Sequence, residues 1–121
     1  MSDLDRVLSH IDADLPNALE RLYALIRIPS ISTDSAYKKD VQKAAKHLAA
    51  DLKGIGFKSD VRPTAGHPVV VGHARSGKGP HFLFYGHYDV QPVDPLNLWE
   101  YPPFEPRLVE VEPGRKVIRA R

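Results

Sequence analysis

The sequence predicts a mixed α/β fold, helices first and strands after. Three observations carry this. Apolar residues recur at helical spacing from Leu4 to Leu52. After Gly56 the period shortens to the alternation of strands. Near the end, two alternating runs flank Pro113-Gly114, which signals a hairpin. At 121 residues the chain can build one small layered domain, a mixed β-sheet flanked by helices.

Each element has its own signal. Leu4, Val7, Leu8 and Ile11 form a helical stripe. Pro16 is expected to interrupt it, with Asp14 capping a second stretch through Leu19, Leu22, Tyr23 and Ile26. Pro29, in RIPSIS, ends that stretch, because the residue before a proline avoids the helical region. Val41, Ala44, Ala45, Leu48 and Leu52 then line one face of an amphipathic helix, read as plain core packing. Gly54 and Gly56 stop it. FKSDVRP alternates weakly and reads as a strand. PVVVGHA and HFLFYG read as two short buried strands, joined by the hairpin-length connector RSGKGP. A Pro-rich loop from Gln91 to Pro106 carries the single tryptophan, Trp99. That side chain is expected to pack the loop onto the sheet, with the wall of an active-site mouth as the other reading.

Composition excludes several classes. The chain is 42% hydrophobic and 26% charged, which suits an ordinary globular domain. Its net charge of +2 comes from scattered basic and acidic residues, so no nucleic-acid footprint is expected. There is no cysteine, which removes disulfides and Cys-ligated zinc and fits a reducing compartment. The start, MSDLDRVLSH, is too charged for a signal peptide, and no apolar run approaches the roughly 20 residues of a membrane helix. A cytoplasmic protein without membrane partners is the expectation.

Few motifs carry chemistry. Gly72 to Gly79 nearly spells a phosphate loop, but Gly79 stands where a Ser or Thr must hold magnesium, and a strand is expected where a helix must follow. No HExxH helix or GxSxG elbow is present. Ser30 and Ser32 read as turn residues or caps. In FLFYGHYDVQP, His87 and Asp89 are two apart, so an extended backbone puts both on one side and Tyr88 on the other. A neutral imidazole is a good zinc ligand through one nitrogen, and a carboxylate on the other fixes its tautomer. On these two residues alone, a strand cap followed by a turn is the favoured reading. A metal cluster of His73, His81 and His87 is an alternative that the spacing does not demand. His10, His47 and His67 read as surface, boundary or turn positions.

The longer string changes the balance. YGHYDVQPVDP, then LWEYPPFEP, then a hairpin ending VIRAR, resembles the first metal-binding region of the co-catalytic zinc exopeptidases. That family includes acetylornithine deacetylase, succinyl-diaminopimelate desuccinylase, aminoacylase, glutamate carboxypeptidase and the carnosinase-type dipeptidases. DVQP and the loop with PPFEP are most similar to the dipeptidase branch, and RIPSIS after an amphipathic helix also fits. The resemblance runs from about Leu19 to Arg121. It implies that His87 is a metal ligand and that Asp89 is the acidic residue that holds it and is counted as catalytic. It implies two zinc ions, with cobalt or manganese as substitutes, and hydrolysis of an amide bond in a dipeptide or N-acyl amino acid. A homodimer is implied for the full-length enzyme.

The same resemblance implies that much of the site lies elsewhere. The bridging Asp, the general base, the remaining ligands and the lid or dimerisation domain all match positions beyond Arg121. Glu100, Glu105, Glu110 and Glu112 match nothing catalytic. Residues 1–121 are therefore expected to be the N-terminal portion of a metallopeptidase catalytic domain, inactive alone. The rival expectations are a small non-catalytic α/β binding module and the three-histidine metal protein.

Overall fold

A computed structural model describes residues 1–75 and 77–121. The connector RSGKGP and the phosphate-loop-like string both contain Ser76, so those readings fall partly outside the described residues. The order of elements is α1 (Asp3–Ile26), α2 (Lys38–Gly54), β1 (Lys58–Arg62), β2 (Val69–His73), β3 (Arg107–Glu112) and β4 (Arg115–Arg119), with short 3-10 turns at Ser35–Tyr37 and Leu96–Leu98. The mixed α/β class holds.

Helix α1 begins in a capping box. The Ser2 hydroxyl accepts from the Asp5 backbone N–H at 3.1 Å, and the Asp5 carboxylate accepts from the Ser2 N–H at 2.8 Å. The helix then runs unbroken for 24 residues, with Pro16 inside it. This corrects the expected break. Proline removes one N–H and crowds the preceding turn, but Pro16 and Asp12 both face solvent, where water can serve the freed carbonyl. Asp14 caps nothing; its carboxylate accepts from Arg21 at 2.7 Å and Asn17 at 2.9 Å. The apolar stripe Leu4, Val7, Leu8, Ile11 and Leu15 is at least half exposed.

Helix α2 carries much of the core. Val41, Ala44, Ala45 and Ala49 are buried on the predicted face, with Ile28 and Ile31 buried in the segment after α1. Its end is a Schellman motif, with Phe57 N–H to Leu52 O at 2.9 Å and Gly56 N–H to Lys53 O at 3.0 Å. Gly56 takes φ of 93°, a conformation that costs a side-chain-bearing residue energy.

β1 pairs with β2 antiparallel, Asp60 opposite Val71, and this pair packs against α2. Gly72 makes the approach possible: a Cβ there would lie 3.1 Å from Leu52 Cδ1 and 3.4 Å from Phe57 Cδ1. β3 and β4 pair around Pro113-Gly114, as the alternation predicts, with a register shift between Glu110 and Glu112.

HFLFYG is the second correction. It is not a strand and it is not buried: Phe82, Leu83, Phe84 and Tyr85 are 80–96% exposed. The physical reason is pairing. Among the described residues β2 pairs with β1 and nothing takes its other edge, so the apolar run has no ladder and no cover. A bridge forms only after it, where Val90 meets Ile31 in parallel.

Candidate functional site

The site begins where the RIPSIS segment crosses the segment after Gly86. The Val90 N–H donates to the Ser30 carbonyl at 3.0 Å, and the buried Ser30 hydroxyl donates to the Tyr88 carbonyl at 2.8 Å. Tyr88 turns inward, and its hydroxyl donates to the Pro68 carbonyl just before β2. Burial pushes the Tyr88 phenol up, and the charge of Asp89 adds to that. With residue 88 fixed on one side, residues 85, 87 and 89 fall together on the other, as the period of two requires.

On that outer side three groups join in a row. His87 Nδ1 lies 3.2 Å from Asp89 Oδ1, and His87 Nε2 lies 3.2 Å from the Tyr85 hydroxyl. The Tyr85 and His87 rings meet edge-on, centroids 5.6 Å apart. An ionised carboxylate can only accept, so in the neutral imidazole the proton sits on Nδ1. Nε2 then carries the lone pair, accepts from Tyr85 and faces outward; the His87 side chain is 74% exposed.

Asp89 has a second anchor. The Ser32 hydroxyl donates to Oδ2 at 2.7 Å. That bond first, and His87 second, hold the Asp89 carboxyl below the usual carboxylate range, against a small opposing effect of burial. Ser32 is itself fixed, because His67 Nε2 donates to its carbonyl at 2.7 Å.

The downstream loop is tied to the same frame. Trp99 Nε1 donates to the Val93 carbonyl at 2.8 Å, a bond within the loop itself. Arg121 reaches the Gln91 carbonyl at 3.1 Å and the Pro92 carbonyl at 2.7 Å. A cavity of about 330 Å³ lies beside Trp99, Tyr101, Ile118 and Arg119, away from His87.

The expected pair is therefore together, on one face and in contact. His73, His81 and His87 are not: among the described residues no three His, Cys, Asp or Glu side chains converge on one point. Ser30, Ser32, His67 and Tyr85 were not legible as site residues. Ser32 meets Asp89 across 57 residues, and no local spacing encodes such a contact.

No protein-family model matches the chain. Curated relatives do. Over 98% of its length the chain is 31% identical to the Cys-Gly metallodipeptidase DUG1 of Saccharomyces cerevisiae, and over 74% it is 34% identical to the enzyme of that name from Candida albicans. A solved structure of the dipeptidase Dug1p from Saccharomyces cerevisiae superposes on 98% of the chain with a TM-score of 0.77 at 29% identity. The chain is a homologue of the metallodipeptidases.

The chain spans about a quarter of these relatives, 27% of the first and 21% of the second. No helix among the described residues is long and apolar enough to cross a membrane.

Proposed function

We propose that the chain contributes one ligand arm of a zinc-dependent hydrolase that cleaves the amide bond of a dipeptide or N-acyl amino acid. The observation that carries it is the state of His87. Its Nδ1 is taken by Asp89, and its Nε2 lone pair points outward. That is the arrangement a metal-binding histidine needs, with the carboxylate fixing the tautomer and raising ligand basicity.

The donor set fits one arm of a zinc centre. A catalytic zinc takes about three protein ligands, and here His87 presents its Nε2 lone pair, met by the Tyr85 hydroxyl, beside an oriented partner. The other donors, the second zinc's ligands and the general base come from outside residues 1–121. When bound, zinc would polarise the amide carbonyl and lower the pKa of a water. His87 would hold the ion through Nε2, with the Tyr85 hydroxyl displaced from that lone pair. Asp89 would keep the Nδ1 proton in place and the ring turned. The Glu side chains at 100, 105, 110 and 112 are engaged at the surface with Arg119, Arg107, the Gly114 N–H and Arg115, and take no part. Residues 1–121 alone would bind zinc weakly and hydrolyse nothing. The full-length protein would act as a cytoplasmic homodimer on small peptides.

The test is hydrolysis of Cys-Gly and other dipeptides by the intact protein, before and after a chelator and zinc readdition. Metal-dependent hydrolysis that His87→Ala abolishes is expected. Hydrolysis that survives both the chelator and His87→Ala overturns the reading.

A further inference from the structure

We infer that Ser32 is a positioning residue of the metal site: its hydroxyl fixes the Asp89 carboxylate, which in turn fixes the His87 ring. This rests on the reading of His87 as a ligand.

The geometry gives the reason. A carboxylate turns easily about its last torsion, which is broad and roughly two-fold. Asp89 is 39% exposed at its side chain, so water competes for both oxygens. Two anchors at once define its plane. Ser32 holds Oδ2 at 2.7 Å, and the His87 Nδ1–H holds Oδ1 at 3.2 Å. The Ser32 bond is the shorter and is charge-assisted, so it sets the orientation that the imidazole then meets.

The Ser32 hydroxyl is placed in advance. His67 holds its carbonyl at 2.7 Å, and the neighbouring Ile31 is bridged to Val90. Ser30, two residues earlier, is fastened to Tyr88. Serine therefore meets the carboxylate from a backbone already fixed to the segment that bears it. The row His67, Ser32, Asp89, His87, Tyr85 is continuous in hydrogen bonds. Ser32 is the member whose loss frees the carboxylate without touching the imidazole.

The chemistry at position 32 is narrow. Alanine removes the donor. Cysteine keeps the size but donates weakly, and threonine keeps the hydroxyl. In the intact protein, zinc affinity is read by competition with a chromogenic chelator. The His87 tautomer is read by ¹⁵N NMR of the metal-free form. Ser32→Ala is expected to weaken zinc binding by about tenfold or more and to shift the His87 ring away from the Nδ1–H tautomer. Ser32→Thr is expected to restore both.

Wild-type affinity and tautomer in Ser32→Ala overturn the inference, as does a loss that Ser32→Thr fails to rescue. If the alanine variant does not fold, Ser32→Cys carries the same expectation, and wild-type affinity there overturns it. His87→Ala separates the two levels: if it leaves zinc affinity unchanged, the ligand reading itself fails. If it lowers affinity while Ser32→Ala does not, only the role of Ser32 fails.

Discussion

The Ser30 hydroxyl donates to the Tyr88 carbonyl at 2.8 Å, joining the exit of α1 to the segment that bears His87 across 58 residues. Ser30 is 3% exposed, so no water replaces the bond freely. Ser30→Ala is expected to cost about 1–3 kcal/mol, the cost of leaving a buried partner unmet. Urea denaturation measures it. A change inside about 0.5 kcal/mol, ordinary for surface sites, would show that the crossing does not depend on this hydroxyl.

Ser59 points the other way. It is 2% exposed in β1, and its hydroxyl has no partner among the described residues. A buried hydroxyl without a hydrogen bond is a net cost. Ser59→Ala is expected to raise stability by about 1 kcal/mol, read as a higher urea midpoint at an unchanged slope. A lower midpoint would reveal a bond to Ser59.

Phe82 to Tyr85 present apolar side chains on both sides of an unpaired backbone. Such a segment invites strand pairing between copies. Residues 1–121 are expected to self-associate with rising concentration in sedimentation, and Leu83→Lys with Phe84→Asp to return them to monomers. A wild-type chain that stays monomeric throughout would contradict this.

Acid is expected to loosen α1 first. Asp5 is held below the ordinary carboxylate value chiefly by the Ser2 hydroxyl, and Asp14 chiefly by its hydrogen bond to Arg21. For depressed carboxyls the stabilising effect is complete above the unfolded value, ~3.9 for Asp. It is lost as pH falls through the lower folded values. Helical circular dichroism should therefore fall as pH drops below about 4. Asp5→Asn should remove part of that acid loss. Identical acid limbs in the two proteins would show that the capping box is not its source.

What was legible in the sequence was local. Gly56 announced the end of α2, Pro113-Gly114 the β3–β4 turn, and the period of two put His87 and Asp89 on one side. Pro16 misled because a proline breaks a helix by removing one N–H, and at a solvent-facing position that loss is small. HFLFYG misled because apolarity states what a segment would gain by burial, not whether a neighbour is there to bury it. Ser32 was hidden for the same reason: its partner is fixed by how two distant segments cross, and a serine three residues past Pro29 reads equally well as a turn.

Gly72 has a mechanical consequence. With no room for even a methyl group between β2 and the Leu52–Phe57 corner, the β1–β2 unit is seated closely on α2. That unit carries Pro68, which takes the Tyr88 hydroxyl. The segment bearing the imidazole is thus held from 88 onward and bare from 82 to 85. His87 stands between a seated stretch and an exposed one, so play in its ring is expected to come from its N-terminal side.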